Sequence, residues 1–200
     1  DYQALAHIPL IVCPAGRDEG GRRGSALTGT IDLAPTLLDL HGVLAPEHAH
    51  GRSLRSLVDG GNGSHHDALL YGYFGKDINL TDGRYTYCRQ PLPESTVHHH
   101  TVMPRGFWDF LSFEELVRAE TGTFLKWCHR IPHLRIPKKS HRHHGAPDFN
   151  PIYDVERDPG QTQPMRDAAL ERRLAARMRE LLVEVDAPEC QFERMGFERP

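Results

Sequence analysis

Residues 27–43 read LTGTIDLAPTLLDLHGV, and this stretch predicts a capped helix that follows an extended entry. Thr30 or Asp32 can cap the helix, and Pro35 is tolerated in its first turn because the N–H that proline lacks would be unpaired there anyway. Gly42 is expected to end the helix. Its predicted buried face consists of Leu33, Leu37, Leu38 and Leu40.

An apolar run lies upstream of this helix. Residues 8–13 read IPLIVC without the alternation of a half-exposed strand, which predicts a strand buried on both faces of a parallel or mixed sheet. Together, the strand and the helix predict one edge of a helix-covered sheet. The chain supplies few other strands to bury this one, and an orphaned central strand is an aggregation liability.

The bulk composition is typical of a globular protein. The chain has 200 residues, of which 38% are hydrophobic and 26% charged, with a net charge of −3. Because acidic and basic residues are interleaved, nucleic acid is not an expected partner. No stretch approaches the roughly 18 apolar residues that a membrane span needs, so a membrane is not expected either.

The cysteines indicate a compartment. Cys13, Cys88, Cys128 and Cys190 are widely spaced without a CxxC pair, which favours reduced thiols and a cytoplasmic location. An N-terminal part outside this chain could nevertheless carry a signal peptide.

Local signals predict further elements in the second part of the chain. Residues 68–74 and 84–88 read as short strands of a small antiparallel sheet, with Asp82-Gly83 as a hairpin turn. Ser112 and Glu115 match a capping box for a short helix. Residues 131–145 are expected to be irregular, whereas residues 152–155 predict a strand closed by the turn at residues 158–160.

The clearest predicted helix is the last long one, which Pro188 should end. Its apolar stripe consists of Leu170, Leu174, Met178, Leu181, Leu182 and Val185.

Motifs spread over nearly the whole chain resemble the C-terminal third of the sulfatases, the sulfuric ester hydrolases of the alkaline phosphatase superfamily. Besides residues 8–12 and 27–43, the similar segments are GRSL at 51–54, NLTDGRY at 79–85, HTVMP at 100–104, IYDVERDPGQ at 152–161 and DAPECQFERMG at 186–196. The resemblance implies an α/β fold, the C-terminal part of a sulfatase fold, with a remnant of the large mixed sheet, a small antiparallel sheet and a long C-terminal helix. It also implies that residues 1–66 end the core α/β domain and that residues 67–200 form a C-terminal subdomain.

The family's catalytic segments have no counterpart among these 200 residues. Sulfatases convert a Cys or Ser within C/S-x-P-x-R into formylglycine and hold calcium with paired aspartates. In Cys13-Pro14-Ala15-Gly16-Arg17 the proline comes one position early, so we interpret Cys13 as the inert end of a buried strand. Asp32, Asp39 and Asp82 are not expected to converge on a calcium ion, which wants six to eight oxygen ligands.

We therefore expect neither a catalytic residue nor a metal ligand in this chain. Formylglycine and calcium are implied for the complete enzyme, whose implied partner is a small-molecule sulfate ester. The missing N-terminal half is a further implied partner of the chain.

Some residues are candidates for the rim of a substrate entrance, where imidazoles could help to hold an anionic ester. The tyrosines at 71, 73, 85 and 87 alternate, which fits either a packed sheet face or a carbohydrate platform. Asn79 fits either a turn former or a ligand contact. The rim candidates are Tyr73, Asn79, His99 and His100.

The 14 histidines leave an alternative open, a free-standing non-catalytic module that binds a partner or a metal. They concentrate at positions 65–66, 98–100 and 141–144, and imidazole suits zinc or nickel. Adjacent histidines on a strand point to opposite faces, however, so three in a row cannot simply chelate one ion. Lys138, Lys139 and Arg142 oppose a cation at the third cluster. Solvated loop residues are the other interpretation of these histidines.

Overall fold

The computed structural model describes residues 5–16, 21–106, 109–128, 130–142 and 145–198. They form two compact units. The first contains the described residues up to Tyr71, together with Leu80–Tyr87 and Ile152–Asp167, and the second contains Gly72–Asn79, Cys88–Pro151 and the chain from Ala168 onward. The division at residue 66 stays a prediction.

The helix predicted from residues 27–43 is present. A 3-10 turn, Thr30–Asp32, leads into α1, Leu33–Leu40, and a short helix α2 follows at Arg55–Val58. The predicted buried face is wrong, because Leu33, Leu37 and Leu40 are 38%, 60% and 44% exposed while Pro35 and Thr36 are buried. The backbone N–H of Leu54 donates to the hydroxyl of Thr36 and holds that side of α1 against residues 51–54, so the leucines face outward.

The strand predicted at residues 8–13 is not formed, and Ile8 and Ile11 are 54% and 84% exposed. The physical reason is the lack of a neighbour. A strand in the interior of a sheet must pair its N–H and C=O groups on both edges, and no described segment pairs with this one.

Among the residues that the structure describes, seven strands form two sheets. They are β1 Leu69–Gly72, β2 Ile78–Thr81, β3 Tyr85–Arg89, β4 Thr96–Thr101, β5 Glu120–Gly122, β6 His133–Lys139 and β7 Ile152–Asp154. The first sheet has the order β1-β2-β3-β7, and β3 pairs antiparallel with β7. The predicted turn at Asp82-Gly83 joins β2 to β3, where the Asp82 carboxylate accepts the backbone N–H of Tyr85 at 2.7 Å and Gly83 adopts a φ of 91°.

The second sheet has the order β4-β6-β5 and corrects two predictions. The histidines at 98–100 lie in β4 rather than in a loop, and much of the stretch at 131–145 forms β6 rather than irregular chain. Pro137 argued against a strand because proline lacks a ladder donor. Strand β5 pairs only with His133–Arg135, so β6 has no β5 neighbour at Pro137, whose partner is His98 of β4.

Further helices are α3 Phe113–Val117, α4 Ala168–Glu184 and α5 Glu189–Arg194, with a 3-10 turn at Lys126–Cys128. The capping box is confirmed, since Ser112 and Glu115 exchange side-chain and backbone bonds. The α4 stripe is confirmed at its centre, where Leu174, Met178 and Leu182 are buried. The α/β fold class, a small antiparallel sheet and a long C-terminal helix are thus as predicted, and the structure adds a second antiparallel sheet. Within the described residues, no helix has the length and apolarity to cross a bilayer.

Candidate functional site

The first unit contains a buried carboxylate, that of Asp32. It is fully buried, and each of its oxygens accepts a backbone hydrogen bond, Oδ1 from the N–H of Arg52 at 2.8 Å and Oδ2 from the N–H of Gly29 at 2.8 Å. A buried charge is tolerated when such donors replace water. Asp32 therefore joins the segment at 27–43 to the GRSL segment, which lie apart in the sequence.

Burial acts to raise the pKa of Asp32 and is the largest single influence on it. The hydrogen bonds from the Arg52 and Gly29 amides and from His66 outweigh burial, so the pKa lies below its usual value. The group is consequently a carboxylate at neutral pH.

The same two segments are joined at a second point. The hydroxyl of Thr36 donates to the backbone oxygen of Asp32 at 2.5 Å and accepts the N–H of Leu54 at 2.8 Å. Gly51 passes so close to the 3-10 turn that a Cβ atom would lie 1.9 Å from the backbone oxygen of Ile31. Only glycine fits there, which accounts for the first residue of the GRSL segment.

Two histidines complete the surroundings of Asp32. The Nε2 atom of His66 lies 3.0 Å from both carboxylate oxygens, and the Nε2 atom of His65 lies 3.4 Å from Oδ2. The side chains of His65 and His66 are 8% and 7% exposed. Sequence reasoning noted the pair but not its link to Asp32, because a contact across 33 intervening residues leaves no periodic signal.

This group does not fit the calcium ion that the sulfatase resemblance implies. Calcium takes six to eight oxygen ligands, whereas Asp32, His65 and His66 offer one carboxylate and two imidazoles. It is the one cluster of three potential metal ligands found among the described residues. No catalytic step through calcium follows for this part of the chain.

The four rim candidates all fall in the second unit, but the structure does not gather them. Tyr73 is 51% exposed in the loop after β1, whereas Asn79 is fully buried in β2. His99 contacts the ring of Phe74 edge-on, with centroids 5.9 Å apart. His100 follows it in β4, where consecutive side chains point to opposite faces, and its Nδ1 lies 3.2 Å from Nε2 of His133.

The charges around β4 do not favour an anion at neutral pH. Burial lowers the pKa values of the three β4 histidines, His98, His99 and His100, and that of His100 falls to about 4 with a further contribution from His133. These imidazoles are therefore neutral. The basic side chains of β6 are each paired with a carboxylate, Arg135 with Glu120, Lys138 with Glu115 and Lys139 with Glu94.

The cysteines are all free thiols. Cys13 is exposed, which corrects the prediction that it ends a buried strand, and Arg17 lies outside the described residues. Burial raises the pKa of the Cys88 thiol to about 12, so this group is not a thiolate nucleophile. His143 and His144 of the third histidine cluster also lie outside the described residues.

Comparisons with known proteins agree with these features. Residues 2–89 match the family described as N-sulphoglucosamine sulphohydrolase, C-terminal. A curated N-acetylglucosamine-6-O-sulfatase of Bacteroides thetaiotaomicron is 26% identical over 106 residues, which are 53% of this chain and 17% of that protein.

The fold is also similar to a solved structure. A chain from work on the metabolism of multiple glycosaminoglycans by Bacteroides thetaiotaomicron aligns with a TM-score of 0.51 and 15% identity, covering 86% of this chain and 30% of that one. This chain thus spans less than a third of the length of either relative. The segments that meet at Asp32 lie within the residues that match the family, and the comparisons together support a C-terminal portion of the sulfatase fold.

Proposed function

We propose that this chain is a non-catalytic C-terminal portion of a sulfatase, and that sulfate ester hydrolysis is carried by residues outside these 200. The observation that carries the proposal is the first unit. Two of its segments are joined by hydrogen bonds to Asp32, and we call this contact the junction. The 200 residues contain no C/S-x-P-x-R motif. We interpret this junction as structural, because it does not contain the residue that sulfatases convert into formylglycine.

The apolar surface of the first unit supports a catalytic core as partner. Ile8, Leu10, Ile11 and Val12 are 43–84% exposed, and the leucines at 33, 37 and 40 are exposed as well. Exposed apolar side chains of this number are typical of a surface that another protein part covers. We propose that the catalytic part of the sulfatase covers it.

The substrate class follows from the relatives' names. A curated relative is an N-acetylglucosamine-6-O-sulfatase, and the matched family is described by N-sulphoglucosamine. We therefore propose a sulfated amino sugar as the substrate of the complete enzyme, ahead of a phosphate or phosphonate ester.

The test is direct. The purified 200-residue chain is incubated with N-acetylglucosamine 6-sulfate and with p-nitrophenyl sulfate, and released sulfate is measured by ion chromatography. We expect no release above buffer. Release that disappears in the Cys13→Ala variant would overturn the proposal.

A second test concerns the gene. An in-frame C/S-x-P-x-R motif and an Asp-Asp pair encoded before Asp1 are expected. A long upstream coding region without either motif would contradict an enzyme of which this is one part.

A free-standing module that binds a partner or a metal is the second candidate function, and the buried group at Asp32 favours it. A free-standing module should be monodisperse and unfold cooperatively. A portion that needs its catalytic core should instead aggregate or bind a hydrophobic dye.

A further inference from the structure

We infer that Asp32, His65 and His66 form a binding site for a divalent transition-metal ion, and that zinc is the ion that fits best. The inference holds whether the chain is a sulfatase portion or a free-standing module. It revises the expectation from the sequence that this chain contains no metal ligand.

The distances between the ligand atoms fit one small ion. The bonds of zinc to nitrogen and to carboxylate oxygen are about 2.0–2.2 Å long, so neighbouring ligand atoms in a tetrahedron lie roughly 3.3–3.5 Å apart. The Nε2 atom of His65 is 3.4 Å from Oδ2 of Asp32, which lies within this range. The Nε2 atom of His66 is 3.0 Å from both carboxylate oxygens, so its imidazole would move outward by a few tenths of an ångström to bind the same ion. One ligand atom from each residue fits within a span of 4.8 Å.

A buried atom without a hydrogen bond points to the same ligand. The side chain of His65 is only 8% exposed, and its Nε2 atom is inaccessible to solvent and has no hydrogen-bond partner. An unsatisfied buried polar atom costs about 1–3 kcal/mol. A metal ion shared with Asp32 would satisfy it.

The surroundings orient the ligands as outer partners of metal sites do. The Gly29 and Arg52 amides fix the carboxylate of Asp32 and leave lone pairs on both oxygens. The rings of His65 and His66 meet at an interplanar angle of 82° with centroids 4.6 Å apart, so they approach the carboxylate from different directions. The Arg52 guanidinium donates to the backbone oxygen of His65 at 3.0 Å, away from the ring atom that would bind the ion.

The donor set selects the ion. Two imidazole nitrogens and one carboxylate oxygen suit zinc and its first-row neighbours, whereas calcium and magnesium need mostly oxygen. Three protein ligands leave a fourth tetrahedral position for water or another ligand.

The test uses the full chain without a histidine tag, stripped with a chelator and dialysed. Zinc is titrated in competition with a chromophoric chelator, and cobalt is titrated to record its visible absorption. We expect one tight site per chain, tetrahedral cobalt bands and a thermal midpoint that rises on adding zinc. The His65→Gln variant should bind zinc at least tenfold more weakly and lose the thermal response, with the same circular dichroism as the parent in the metal-free state.

His41→Gln is the matched control, because His41 is exposed at the end of α1 and outside the group. It should bind zinc as the parent does. The inference is overturned if the parent chain takes up no stoichiometric zinc or if His65→Gln binds it equally tightly, which would place the ion at another histidine cluster.

If the His65→Gln variant fails to fold, a second measurement on the parent chain still tests the site. Hydrogen exchange with and without zinc should show new protection confined to residues 27–36 and 64–67. Unchanged exchange in those segments contradicts the site. Neither measurement depends on sulfate release, so this inference and the proposed function can fail separately.

Discussion

Replacement of Thr36 by valine tests how the first unit is held together. Valine has nearly the shape of threonine, so the change removes a hydroxyl and leaves the packing volume almost unchanged. That hydroxyl accepts the N–H of Leu54 at 2.8 Å and donates to the backbone oxygen of Asp32 at 2.5 Å. Both Thr36 and Leu54 are buried, 5% and 3% exposed, so water cannot replace the lost partner.

The expected loss follows from the orphaned amide. A buried N–H that loses its acceptor costs about 1–3 kcal/mol, and the lost donation to Asp32 adds to this while the extra methyl group offsets part of it. We expect Thr36→Val to lower the local stability by about 1.5–3 kcal/mol. Since 1.4 kcal/mol is a factor of ten, local opening should become about ten- to hundredfold more frequent.

Native-state hydrogen exchange read by mass spectrometry over residues 27–58 measures this opening. Thr36→Ser is the matched control, because it keeps the hydroxyl and loses only a methyl group, at a cost of about 1 kcal/mol. Two results would refute the reasoning, exchange in Thr36→Val within about 0.5 kcal/mol of the parent chain or a larger effect in Thr36→Ser.

Three further predictions concern other parts of the chain. Gly51→Ala would place a Cβ 1.9 Å from a backbone oxygen and should lower the unfolding free energy, measured by denaturant titration, by more than about 3 kcal/mol. Gly63→Ala is the control, because no atom lies within 4 Å of a Cβ there, and it should stay within about 0.5 kcal/mol of the parent chain. His100 has a pKa of about 4 in the folded chain through burial and like charge and one of about 6.5 when unfolded. As the pH falls, the unfolded chain therefore binds this proton before the folded chain does. We expect the full free energy of unfolding above pH 6.5 and a loss of about 1–2 kcal/mol towards pH 4, after allowance for the partial exposure of the imidazole. The loss should be smaller in His100→Gln, and equal pH profiles of the two chains would contradict this. Arg194 is 4% exposed and donates to Oε1 of Gln191 at 2.6 Å and to the backbone oxygen of Lys76 at 2.7 Å. Arg194→Met should therefore lower the unfolding free energy, measured by thermal denaturation, by about 1–3 kcal/mol. An equal loss in Arg172→Met, at an exposed position, would argue against the role of burial.

Interactions between near neighbours in the chain were predictable from the sequence. The box of Ser112 and Glu115 closes over one helical turn, and the turn at Asp82-Gly83 closes over a few residues. The stripe on α4 repeats with the helical period, and its central members are buried as expected. Each of these depends on chemistry that the local sequence contains.

Contacts between distant segments were not predictable in this way. Pro137 and its basic neighbours argued against a strand, yet β6 is the central strand of its sheet because it pairs with both β4 and β5. The leucine stripe of α1 predicted a buried face, but Thr36 holds the helix by its other side. The strand predicted at residues 8–13 lacks a pairing partner in the described chain.

The sequence by itself determined that α1 and α4 form, where α3 begins, where the main turns lie and which family the segments resemble, because capping, turn chemistry and helical periodicity act over a few residues. The side-chain cap predicted for α1 is absent, since Asp32 makes no capping hydrogen bond to that helix. Only the tertiary structure decided that His65 and His66 meet Asp32 and that His99 and His100 belong to a strand. The physical reason is that long-range hydrogen bonds and strand pairing depend on which segments fold against each other, and the sequence pattern of either segment alone does not record its partner.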